Sequence, residues 1–128
     1  AVVEPGQGMA QKVRELTGGK GVELVFEHVA AATFEQSVAS LAVDGRLVLG
    51  GVTTGSGVPL DLKAVFTRRL EILGCRGSGR KDLDRVVELL ASGAVRPHVQ
   101  QVVPLERAVE AHRSLASGRG LGKIVMTV

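Results

Sequence analysis

The sequence has 128 residues, 45% of them hydrophobic and 23% charged, which suits a single soluble domain and excludes wholesale disorder. Sixteen Lys and Arg against thirteen Asp and Glu leave only +3, scattered along the chain, and three Phe with neither Trp nor Tyr offer no base-stacking platform, so no nucleic-acid partner is expected. No run approaches the roughly 20 apolar residues of a membrane helix, AVVEPGQG is no signal peptide, and the lone Cys75 can form neither an internal disulfide nor a thiolate metal site. The expected location is therefore cytoplasmic, with no membrane partner.

Met9, Val13 and Leu16 recur at helical spacing and stop at Gly18 and Gly19, the pattern of a first helix ended by a glycine turn. Residues 22–29 read VELVFEHV; the unbroken Leu24, Val25 and Phe26 predict a parallel strand covered on both faces and placed centrally in the sheet. A second helix opens at Thr33, with Gln36 at capping-box spacing and Phe34, Val38 and Leu41 as its apolar stripe. Asp44 and Gly45 turn the chain into a second buried strand, residues 46–50, followed by the glycine-rich loop GVTTGSGVP. Near Asp61 a third helix begins, striped by Leu62, Val65, Phe66 and Leu70, and it runs into a third strand from Glu71 to Cys75. Residues 78–82 restart a helix lined by Leu83, Val86, Val87 and Leu90 and broken by Gly93 and Pro97. Beyond Gly93 the rhythm changes. VQQVVPL, a helix striped by Leu105, Ala108, Val109, His112 and Leu115, and KIVMTV make a closing strand–helix–strand segment.

Buried strands alternating with helices define the α/β class with right-handed parallel crossovers. In such sheets ligands bind beyond the carboxyl ends of the strands, which nominates three loops, residues 28–32, 50–57 and 74–79. All are rich in Gly, Ala, Ser and Thr, so a flat ligand can approach their backbone. No phosphate-cradling motif is complete. Gly55 and Gly57 begin a GxGxxG spacing that Leu60 spoils, Gly77 and Gly79 lead to Asp82, and Gly118, Gly120 and Gly122 merely alternate. Around Gly122 and Lys123 the P-loop pattern fails at Ser117 and Ile124.

His28, His98, His112 and Cys75 lack metal-ligand spacing, and no serine lies in a nucleophile elbow, so no catalytic or metal-ligating residue is nominated. His28 ends a strand beside the crevice, equally suited to ligand contact or to a structural role. His112 reads as a core or interface histidine on its apolar stripe, His98 as a loop residue, and Cys75 as packing. Arg76, Arg80 and Lys81 read as solvated charges rather than a phosphate site.

The phrases VRELTGGKGVELVFEHV, ATFEQSVASLAVDGRLVLGGVTTG, LEILGCRGS and LLASGAVRPHVQQVVPLERAVEAHRSLASGRGLGKIVM follow in this order. Together they closely resemble the medium-chain dehydrogenase/reductase superfamily, in its zinc-type alcohol dehydrogenase and quinone oxidoreductase-like branches, essentially end to end. The resemblance implies a partial Rossmann-type parallel sheet with flanking helices, plus the C-terminal segment. Residues 1–93 would be the second part of the nucleotide-binding domain, entered at its third strand (residues 1–4) after the glycine motif, and residues 94–128 the closing segment.

It also implies NAD(P) as cofactor, NADP favoured. His28, Val29, Ala30 and Ala31, then Gly50, Gly51, Val52 and Thr53, then Gly74, Cys75 and Arg76 would border the nicotinamide and its ribose, largely through backbone groups. Ala30 and Ala31 stand where the family commonly has glycine, adding methyl groups on a close-approach surface. The family's catalytic domain and zinc ligands correspond to sequence upstream of Ala1. The expectation is thus the C-terminal portion of an oxidoreductase of alcohols, carbonyls, quinones or enones, inactive alone. The alternative is a non-enzymatic dimerisation or partner-binding module. The strand from Glu71 to Cys75, last of the crossover series, is expected at a sheet edge, paired with its symmetry mate in a homodimer, an arrangement used in the resembled family.

Overall fold

Helix and strand alternate through the computed structural model, which describes residues 1–77, 79–118 and 120–128. The elements are α1 (Met9–Leu16), β1 (Val22–Glu27), α2 (Phe34–Ser40), β2 (Leu41–Leu49), α3 (Leu62–Thr67), β3 (Glu71–Gly74), α4 (Arg80–Ala91), β4 (Val99–Pro104), a 3-10 turn (Leu105–Arg107), α5 (Ala108–Ala116) and β5 (Lys123–Thr127). They fall into two units, Ala1–Gly77 and Ser78–Val128. In the first, β1, β2 and β3 form a parallel sheet in that order. In the second, β4 and β5 pair in parallel, joined by α5. The mixed α/β class is the expected one, with its parallel strands shared between two small sheets. Among the described residues, no helix is long and apolar enough to cross a membrane.

Strand periodicity explains where the first core sits. Val25, Leu47 and Ile72 lie in register across the three strands, and with Leu49 they pack against Phe34, Val38, Leu41 and Leu70. Leu41 and Leu47 are fully buried. Two successive right-handed crossovers that advance in one direction must return over the same face of the sheet, so α2 and α3 both cover this one. The next residues along the strands point the other way: Phe26, Val48 and Leu73 are in register, with Phe26 63% and Leu73 44% exposed. This corrects the expectation for β1, which lies at the end of the strand order rather than in its centre and is covered on one face rather than two.

Four local expectations are also corrected. Residues 1–4 form no strand; they have no ladder partner, and backbone donors without one stay with solvent. Thr33 and Gln36 form no capping box, because tertiary bonds claim both side chains. The Thr33 hydroxyl donates to Glu27, and Gln36 Oε1 accepts from the Ala10 amide at 3.1 Å. Leu41 leaves the helical stripe and starts β2. Asp44 and Gly45 then lie within β2 as a register shift, the pairing jumping from Val22–Leu41 to Leu24–Arg46.

That bulge is clasped from outside. Asp44 (φ 60°) and Arg69 (φ 51°) both adopt the left-handed conformation, and their side chains meet in a bidentate pair at 2.6 and 2.7 Å. The carbonyls left over where α2 ends are taken by two arginines. Arg14 donates to Ala39 (2.8 Å) and Leu41 (3.1 Å), and Arg68 donates to Val38 and Leu41. Asp61 caps α3 by accepting from the Lys63 amide at 2.9 Å, but of that stripe Val65 and Leu70 join the core while Leu62 and Phe66 stay exposed. Helix α4 begins at Arg80, with Asp82 accepting from the Gly79 amide at 2.9 Å, and its stripe of Leu83, Val86, Val87 and Leu90 is exposed. Ser78, where this helix was expected to begin, lies outside the described residues.

Candidate functional site

The inward row of β1 ends on a charge. Val25 and Glu27 point to the covered face, and Glu27 is only 3% exposed, a position where an ionised carboxylate requires hydrogen bonds. It accepts them from the amides of Val29 (2.8 Å) and Ala30 (3.1 Å), the Thr33 hydroxyl (2.9 and 3.0 Å) and the Ser37 hydroxyl (2.5 Å). Burial pushes this carboxyl up, but hydrogen bonds from Ser37, Ala30, Val29 and Thr33 together outweigh it and hold the pKa down at about 2. Sequence reasoning missed Glu27. The available signal was an acidic residue continuing the buried row of a strand, followed by hydroxyl residues six and ten positions on.

Beyond Glu27 the first two nominated loops are fastened together. The Thr53 amide and hydroxyl donate to the His28 carbonyl (3.3 and 2.9 Å), and those of Thr54 donate to the Val29 carbonyl (2.9 and 2.7 Å). The Ala31 amide donates to the Gly55 carbonyl at 3.3 Å and that of Ala32 to the Thr54 hydroxyl at 3.0 Å. Gly50 and Gly51 permit this close passage. A Cβ at Gly50 would lie 2.8 Å from the Phe26 ring, and one at Gly51 would lie 3.1 Å from the His28 carbonyl. Ala30 is buried at φ 68°, a conformation costing a non-glycine residue roughly 1–2 kcal/mol.

The structure therefore brings His28, Val29, Ala30, Ala31, Gly50, Gly51, Val52 and Thr53 into one hydrogen-bonded rim. Gly74 ends β3, and Cys75 and Arg76 follow it at the same carboxyl edge, joined to it by the Cys75 amide donating to the Leu49 carbonyl at 2.9 Å. Ser78 of that third loop lies outside the described residues. Cys75 is exposed, which corrects its reading as packing; Gly74 ends the strand, and a Cβ built at Gly74 or Gly77 meets nothing nearby. His28 is exposed with its ring 6.3 Å from that of Phe26. His112 is exposed on α5 rather than a core residue. Arg80 pairs with Asp84 at 3.0 Å on the surface. Among the described residues no group of three His, Cys, Asp or Glu could hold a metal.

A parallel sheet whose small-residue loops gather at the carboxyl edge has the layout of the dinucleotide-binding α/β class. Comparison with known proteins narrows this. A family model for zinc-binding dehydrogenases matches residues 3–126, so the chain belongs to the zinc-binding dehydrogenase family. It is 32% identical over 120 residues to an NAD-dependent alcohol dehydrogenase of Sulfolobus acidocaldarius, covering 92% of this chain and 35% of that one. Among solved structures, an NAD-dependent alcohol dehydrogenase superposes with a TM-score of 0.82 at 37% identity, covering 95% of this chain and 36% of the other. The 2-octenoyl-CoA carboxylase reductase CinF, solved with NADP and 2-octenoyl-CoA, gives 0.80 at 30% identity, covering 94% and 27%. The chain thus spans about a third of the length of the relatives it matches.

Proposed function

We propose that the chain is the C-terminal, cofactor-side portion of an NAD(P)-dependent oxidoreductase that reduces carbonyl or enone groups or oxidises alcohols, and that by itself it does not turn over. The observation that carries this reading is the rim formed by residues 28–32 and 50–55, at the edge of the sheet where the class binds its ligand. The rim suits the flat nicotinamide end of the cofactor, since it is built of small residues and Gly50, Val52, Thr53 and Thr54 along it are exposed. It does not suit the pyrophosphate, because none of the glycine-rich loops completes a phosphate cradle. When bound, the reduced nicotinamide supplies a hydride to the substrate carbon. The part left to this chain is to hold that ring against a fixed backbone surface.

Titration of the chain with NADH and NADPH, followed by calorimetry and by amide chemical shifts, tests this. The expected result is weak, unsaturated binding with shifts confined to the rim and to residues 74–76, and no dehydrogenase turnover. Because the two cofactors differ only at the adenosine ribose, the rim should respond to both alike. Micromolar affinity with unit stoichiometry would show that the chain holds the whole cofactor, and shifts elsewhere would displace the site.

A further inference from the structure

The donors around Glu27 are all neutral, and they close on the carboxylate from two consecutive amides and two hydroxyls. Inward-turned consecutive amides of this kind make a nest that elsewhere binds free oxyanions. Here the anion belongs to the chain.

The geometry of the peptide unit carries the consequence further. In a planar trans peptide the C=O of one residue and the N–H of the next point in opposite directions. The unit joining His28 to Val29 therefore has its N–H on Glu27 and its carbonyl on Thr53. The unit joining Val29 to Ala30 has its N–H on Glu27 and its carbonyl on Thr54. Each unit is gripped at both ends, and hydrogen bonds in such a chain polarise and strengthen one another. We propose that Glu27 is the positioning residue of this site: an internal anion that orients two successive peptide units, holds Ala30 in its left-handed conformation and so fastens the first loop to the second. With its donors taken and a negative charge in place, the turn admits no outside phosphate. Only the link to cofactor binding rests on the function proposed above; the link from Glu27 to Thr53 and Thr54 stands without it.

The test uses the full 128-residue chain, Glu27→Ala and Glu27→Gln variants, amide hydrogen exchange, and sodium formate as a replacement for the missing carboxylate. In Glu27→Ala the amides of Thr53 and Thr54 should exchange about tenfold faster or more, together with the core amides of β2, whose protection reports the stability of the whole fold. Formate should restore them and leave the wild type unchanged. A role in stability alone would instead lower protection in β2 and α2 and leave the Thr53 and Thr54 amides, which exchange by local opening, as they are in the wild type. Glu27→Gln keeps the shape of the side chain, so should Glu27→Ala fail to fold, loss of protection at residues 29–33 and 53–54 in Glu27→Gln is the expected result. Unchanged Thr53 and Thr54 exchange in the variants, or no rescue by formate, overturns the proposal. Wild-type titration with nicotinamide mononucleotide is the separate arm: absence of rim shifts there, with the exchange results as expected, overturns the cofactor reading alone.

Discussion

Acid should unfasten the carboxyl edge of the sheet through one residue. A free glutamate titrates near about 4.3, whereas Glu27 in the folded chain is held down at about 2. A depressed carboxylate contributes stability that is complete above the unfolded value and lost as pH falls toward the folded one, here from about 4.3 to about 2 and worth on the order of 3 kcal/mol. Wild type and Glu27→Gln compared by urea unfolding should differ most at pH 6 and converge toward pH 2; a gap that stays constant would refute the assignment. At this scale the sequence was half legible. Gly50 and Gly51 announce a close approach by their type alone, and the small residues at 28–32 mark a loop. Glu27 did not announce itself, because its meaning depends on Thr33 and Ser37 arriving over it from a helix, a relation without local periodicity.

At the scale of elements, the apolar pattern located all three strands of the first sheet, since buried runs bounded by glycine leave few alternatives. It overstated what covers them. Leu47 is fully buried among α2, α3 and the neighbouring strands, while Phe66, of the same apolar character, is 71% exposed. Leu47→Ala should cost about 2–5 kcal/mol and Phe66→Ala under about 0.5 kcal/mol, measured as shifts in urea midpoint. Comparable costs would mean that the exposed face is covered in solution. Caps were legible where the bond is local, as at Asp61 with Lys63, and illegible where side chains reach across the fold, as Thr33, Gln36, Arg14 and Arg68 do. The left-handed Asp44 was anticipated as a turn; only the pairing partner across the sheet makes it a bulge.

For the whole molecule, the end-to-end resemblance carried more than any motif, and membership of the zinc-binding dehydrogenase family bears it out. It also implied a closing strand–helix–strand segment beyond the first sheet; what strand patterns leave open is which strands share a ladder, and among the described residues β4 and β5 pair with each other rather than with the first sheet. β3 ends the order of its sheet, and an uncapped edge invites pairing. We propose a homodimer in which β3 and the following Cys75 pair with the same segment of a second copy about a twofold axis. Light scattering should give twice the chain mass of 13.4 kDa, and Leu73→Lys, which places a charge on the edge strand, should shift it toward monomer. A monomeric wild type would end this proposal.

The open face of the first sheet has a practical corollary. Phe26 and Leu73 stand exposed there in the folded state, and in the second unit Leu83, Val86, Val87 and Leu90 stand exposed along one side of α4; exposed apolar side chains grouped in this way take up apolar molecules. Fluorescence of an apolar dye such as anilinonaphthalene sulfonate, commonly taken as the mark of a loosened, molten chain, will report the native form of this one. Unfolding followed by that dye will therefore start bright and darken as structure is lost, the reverse of its usual course.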